Sequence, residues 1–107
     1  MGVSYIAVAR AGELSAGAMK EVDLGGRAVL VTVMEGRYFA FTKDCPHEGA
    51  DLSIGGQLFG GARIRCNNHG YCFDLQSGTC LIPQGGAPLT VLPVEERGDE
   101  ICIKLEW

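Results

Sequence analysis

Apolar and polar residues alternate with a period of two over much of this chain, and glycine pairs punctuate the alternation. In the last segment Ile101, Ile103, Leu105 and Trp107 alternate with Cys102, Lys104 and Glu106, the mark of a half-buried strand. Within residues 18–24, Val22 and Leu24 share one face. The stretch RAVLVTVM, Arg27 to Met34, is apolar on both faces, which predicts a strand deep in a sandwich or barrel. The LGGR between these two predicts a hairpin turn. Glu35-Gly36 then turns the chain into RYFAFT, Arg37 to Thr42, a strand rich in aromatics. Residues 4–9 form another short apolar run, and residues 89–95 and 100–106 predict a hairpin around Gly98-Asp99. Only residues 11–20 and 48–53 have a pattern compatible with a short helical turn. The pattern predicts an all-β fold, and 107 residues predict a single domain, 1–107.

Residues 43–88 break this regularity. They hold both histidines of the chain, four of its five cysteines and most of its sixteen glycines. This stretch reads as a loop-rich insertion carried on a β scaffold. The formal charge of -4 argues against nucleic acid, which needs a basic surface. No run of 18 apolar residues is present, so no membrane span is expected. The N-terminal MGVSYI lacks a basic leader, and Ile6 stands where a myristoylation signal needs Ser or Thr. A cytoplasmic setting follows as the expectation, with thiols reduced. An odd cysteine count does not suit a pure disulfide framework, so clustered Cys and His read first as metal ligands.

The candidate ligands are Cys45-x-His47, a spacer of 18 residues, then Cys66-x-x-His69. Two short pairs on a long spacer suggest two loops gripping one inorganic object. Thiolate and imidazole suit a tetrahedral zinc site or a [2Fe-2S] cluster with two cysteines on one iron and two histidines on the other. Pro46 stiffens the first loop, and Gly49 and Gly70 leave backbone N–H groups near the ligands. The segment IPQGGAPL, Ile82 to Leu89, is suited to covering the object as a lid. If LQSG is a turn, Phe73 faces Cys80 and Cys72 points to the other face, so Cys72, Cys80 and Cys102 are read as small buried residues without disulfides. Asp44, Glu48 and Asp51 surround the first ligand loop, either as a solvated rim or as an acidic docking surface.

CPH followed by CNNHG and FDLQSGTC resembles the Rieske [2Fe-2S] domain, and the size resembles the Rieske-type ferredoxins. The resemblance implies three small antiparallel sheets with an inserted cluster-binding subdomain at about 43–88. It implies one [2Fe-2S] cluster, with Cys45 and Cys66 on a buried iron and His47 and His69 on an outer iron at the protein tip. It implies no catalytic residues and a monomeric one-electron carrier. Such ferredoxins pass electrons from a flavin-dependent NAD(P)H reductase to a Rieske non-haem iron oxygenase. Two departures matter: Ala50 and Asn68 stand where quinol-oxidising relatives have a disulfide, and Tyr71 and Phe73 stand where those relatives donate hydroxyls to cluster sulfur. Without those donors the potential is expected toward the low end of roughly -150 to +300 mV. The chain is not read as an oxygenase, because a second iron needs two further histidines. The other readings are a small Rieske-like subunit of an assimilatory nitrite reductase and a zinc-binding interaction module.

Overall fold

A computed structural model describes residues 2–47, 49–67 and 70–106. In chain order these form β1 (Val3–Arg10), β2 (Met19–Leu24), β3 (Arg27–Met34), β4 (Arg37–Thr42), α1 (Leu52–Gly55), β5 (Gly56–Phe59), β6 (Arg63–Cys66), β7 (Cys72–Asp74), β8 (Cys80–Ile82), β9 (Val91–Leu92), β10 (Val94–Arg97) and β11 (Glu100–Glu106). The strands pair into three antiparallel sheets of order β1-β11-β10, β2-β3-β4-β9 and β5-β6-β7-β8. The fold is therefore all-β, with the three small sheets that the sequence resemblance implied.

The sheet containing β3 and β4 lies between two apolar cores, and strand alternation is the reason. Side chains point to opposite faces of a strand in turn. Val29 and Val31 of β3 and Ala40 of β4 enter one core with Val8, Ile101 and Ile103. Leu30, Phe39 and Phe41 enter the other with Leu52, Ile64, Phe73, Leu75 and Leu89. A strand covered on both faces needs apolar residues on both, and Ala28 to Met34 supplies them at every position but Thr32. Its one buried hydroxyl is satisfied, since Thr32 Oγ1 donates to the Ala18 carbonyl at 2.6 Å.

The hairpins follow from turn chemistry. Gly25 and Gly26 take φ of 64° and 94°, a pair of left-handed conformations that matches strand twist at a two-residue loop. Gly26 N–H donates to Asp23 Oδ1 at 2.7 Å and closes the corner.

Three expectations need correction. Residues 11–20 hold no helical turn, because Gly12 and Gly17 adopt φ of 84° and 82° and the segment folds as two tight turns. The helical turn expected over 48–53 forms over Leu52–Gly55 instead, where Asp51 caps it by accepting from Ser53 N–H at 2.9 Å. Residues 89–95 are not one strand. Pro93 has no N–H for a ladder and marks the switch, so β9 pairs with β4 while β10 pairs with β11. Strands β5 and β6 were not anticipated at all. Met1, Glu48, Asn68, His69 and Trp107 lie outside the described residues, so the last member of the alternation from Ile101 to Trp107 does too. Among the described residues no helix is long and apolar enough to cross a membrane.

Candidate metal centre

The first ligand loop grows out of β4. Past Thr42 the chain narrows in steps: Lys43 C=O accepts from Leu52 N–H at 2.9 Å, Asp44 bridges Asp51, and Cys45 N–H donates to Ala50 C=O at 2.8 Å. Gly49 N–H donates to Cys45 C=O at 2.7 Å inside the tip. The second loop joins β6 to β7 and closes the same way, with Cys66 N–H donating to Tyr71 C=O at 2.7 Å. In both loops the cysteine N–H reaches the residue five positions on. In both, the residue four positions on is a glycine with φ of 72° (Gly49 and Gly70), a backbone that L side chains rarely adopt. The second loop is also tied to the helix that follows the first, since Asn67 N–H donates at 2.7 Å to the carbonyl of Gly55 at the end of α1.

These closures bury the two thiols and leave the tip outermost. Cys45 is 2% exposed and Cys66 1%, both within the core of Leu52, Ile64 and Phe73. His47 is only half-buried. Its imidazole stacks on the Tyr71 ring, with centroids 3.8 Å apart and planes 15° apart. Tyr71 stands where quinol-oxidising relatives of the resembled family place a hydroxyl donor; here its ring joins the tip of one loop to the stem of the other. The readable signal was an aromatic residue directly after the loop glycine. Phe73 is fully buried on the inner face and has no hydroxyl to offer. His69, Asn68 and Glu48 lie outside the described residues.

The remaining cysteines sit as the strand register requires. Phe73 pairs with Cys80 and Cys72 pairs with Ile82, so Cys72 and Cys80 point to opposite faces and both remain thiols. Cys80 Sγ lies 3.2 Å from the Pro83 carbonyl. The segment after β8 is anchored by buried Leu89, whose N–H donates to Gly78 C=O at 2.8 Å.

One carboxylate of the acidic rim is paired in the fold, while Asp44 is exposed. Lys43 Nζ stands 3.3 Å from Asp51 and 3.2 Å from Glu21. The Ser53 hydroxyl and N–H, then Lys43, hold the Asp51 carboxyl below the ordinary carboxylate range. Glu21 and then Asp51 raise Lys43 above the ordinary lysine range. Asp51 thus serves as a helix cap and ion-pair partner, and Glu48 is outside the described residues.

The donor chemistry fits an iron-sulfur cluster of the two-metal kind. Two thiols open from an apolar core, where an uncompensated thiolate is costly, and an imidazole stands on the solvent side of them. A two-iron cluster that takes thiolates on one metal and imidazole on the other suits that arrangement.

Known proteins agree with this geometry. Human apoptosis-inducing factor 3 is 42% identical over 72 residues, 67% of this chain, but the chain spans only 12% of that protein's length. The ferredoxin component of the alkene monooxygenase system of Xanthobacter autotrophicus is 28% identical over 104 residues, covering 97% of this chain and 84% of that one. A ferredoxin solved as the complex of reduced oxygenase and oxidized ferredoxin in carbazole 1,9a-dioxygenase superposes with a TM-score of 0.80 at 27% identity, covering 92% of this chain and 99% of that one. The sequence profile of the Rieske [2Fe-2S] domain matches residues 4–93, and with both ligand loops inside that match the chain belongs to the Rieske [2Fe-2S] domain family, whose cofactor is one [2Fe-2S] cluster.

Proposed function

We propose that this chain is a Rieske-type ferredoxin that carries single electrons from a flavoprotein reductase to a terminal oxygenase. The observation that carries the reading is the pair of similarly closed loops, each with a buried cysteine at its mouth and His47 at the partly exposed tip of the first. Cys45 and Cys66 are assigned to the inner iron, and His47 and His69 to the outer. When bound, the cluster supplies one-electron oxidation and reduction. The chain's own residues do the rest. Leu52, Ile64 and Phe73 exclude water from the thiol side. Gly49 and Gly70 allow the loops to close. Tyr71 fixes the plane of the His47 ring. The whole chain is read as one Rieske domain, with residues of about 43–88 as its cluster-binding part. A reducing, cytoplasmic setting suits the thiols of Cys72, Cys80 and Cys102.

The test is the metal content and midpoint potential of anaerobically purified protein. Two irons and two sulfides per chain, with a reversible one-electron wave toward the low end of roughly -150 to +300 mV, are expected. A colourless protein with one zinc per chain refutes the assignment. A wave near the upper end removes the reductase as electron donor.

A further inference from the structure

The outer face of the β5-β6-β7-β8 sheet carries a groove of about 580 Å³ that the proposed chemistry does not use. Its walls join Phe59 of β5, Arg63 and Arg65 of β6, and Leu81 and Ile82 of β8. Gly70 of the second ligand loop lines it as well. Register explains the grouping: Phe59 pairs with Arg63 and Arg65 with Cys72 on the face opposite Ile64 and Phe73, Leu81 follows the inward Cys80, and a register shift between Cys72 and Phe73 sets Ile82 beside Cys72.

Two properties set this face apart. It is cationic on a chain of net charge -4. Among the described residues neither arginine meets a carboxylate within ion-pair distance. Asp74 stands across from Arg63, but its carboxylate turns away to accept from the Ser77 hydroxyl at 2.7 Å. Arg63 is held over the Phe59 ring, 4.6 Å from its centroid, by donating from Nε to the Gly60 carbonyl at 2.9 Å. The face is also apolar where burial is ordinary, since Ile82 is 60% exposed and Leu81 36%.

Building on the proposed electron-carrier role, we infer that this groove docks an acidic segment of the electron-accepting partner. The partner's carboxylates sit on Arg63 and Arg65, and an apolar side chain seats against Leu81 and Ile82. Two arginines on an acidic chain are too few to hold a nucleic acid. They suit a protein surface, where complementary charge steers encounter and an apolar anchor holds it. The groove reaches Gly70, next in sequence to His69, so a partner seated there abuts a ligand loop.

Stopped-flow oxidation of the dithionite-reduced holoprotein tests this. The probes are plant plastocyanin, an acidic electron acceptor, and cytochrome c, a basic one. Arg65→Glu is expected to slow oxidation by plastocyanin about tenfold at low salt, to speed oxidation by cytochrome c, and to lose both effects at high salt. Arg97→Glu, on β10 of another sheet, makes the same change in net charge and is expected to change either rate less than twofold. Ile82→Ser is expected to slow plastocyanin about threefold at high salt, where only the apolar contact remains. An intact visible spectrum in each variant shows that the cluster domain has folded. Equal slowing by Arg65→Glu and Arg97→Glu overturns the groove, as does plastocyanin oxidation indifferent to Arg65 and Ile82. A wild-type protein with no reducible cluster overturns the electron-carrier reading and the groove with it.

Discussion

The two faces of the central sheet solve different problems. The face toward β1 and β11 is closed by Val8, Val29, Val31, Ala40, Ile101 and Ile103, all aliphatic and all buried. Nothing in that core has chemistry to perform, and burial of methyl and methylene groups accounts for it. The face toward the ligand loops is closed by larger residues, Leu30, Phe39, Phe41, Ile64 and Phe73, and it also buries the thiols of Cys45 and Cys66. One core completes itself. On the proposed ligand assignment, the other is built around two groups whose burial makes sense with metal attached, since a thiolate is the ligand form and a bare one is expensive inside apolar surroundings. The same two strands serve both because alternate residues of β3 and β4 face opposite ways.

Matched truncations give the largest effects and break the comparison most directly. Phe73→Ala and Ile103→Ala each empty a fully buried site, at about 3–5 and 2–5 kcal/mol respectively. Thermal unfolding followed by circular dichroism is expected to show both losses. The visible absorption of the cluster is expected to separate them: bleached well below the unfolding midpoint in Phe73→Ala, and lost only together with the fold in Ile103→Ala. Full iron retention by Phe73→Ala up to its midpoint refutes the view that the second core exists to support the metal.

Removing the metal sharpens the contrast. Chelated protein is expected to exchange the amide hydrogens of Cys45 and Cys66 on the order of a hundredfold faster than the holoprotein, because their loop closures lose their anchor. Amides pairing β1 with β11 are expected to change far less, since their core contains no ligand. Uniform loss of protection across the chain means a single cooperative unit in place of two unequal halves. Smaller again is the strain test on the loops. Gly49→Ala meets no atom of the described residues within 4 Å, so its expected cost is that of the left-handed backbone, about 1–2 kcal/mol, read from the shift in unfolding midpoint.

The aliphatic half was the more legible in sequence. RAVLVTVM and RYFAFT announce their ends with Gly25-Gly26 and Glu35-Gly36, and β3 and β4 begin and end where that punctuation says. The register of Phe73 against Cys80 was legible too, because LQSG is a turn of known length. Strands β5 and β6 were not. GQLF and RIRC are four residues each, too short for alternation to stand out, and they hold together through long-range pairing. At the site, ligand spacing offered Cys45, His47, Cys66 and His69 as candidates, and the last lies outside the described residues. The His47–Tyr71 stack depends on two loops separated by a long spacer, and no local pattern encodes such a meeting. The pairing at the rim was hidden for a related reason: composition counts charges, and Lys43 meets Glu21 and Asp51 only once β4 and the loop stem are folded.

That rim yields the smallest effect. Asp51 has its carboxyl pKa lowered in the folded chain, so its contribution is present above the ordinary value of 3.8 and is lost as pH falls through the lower folded value. Lys43 has its pKa raised, so its contribution is complete below the ordinary value of 10.5 and is lost as pH rises through the higher folded value. The stem of the first loop is therefore expected to stay clipped across the neutral range and to loosen at both extremes, as read from the Ser53 amide shift. Asp51→Asn separates the limbs. It removes the acid transition, because no carboxyl remains to protonate at the helix cap. It leaves an alkaline one, because Glu21 still holds Lys43 and is the larger cause of its shift. Loss of both limbs in that variant means that Asp51 alone organises the stem and that Glu21 is a bystander.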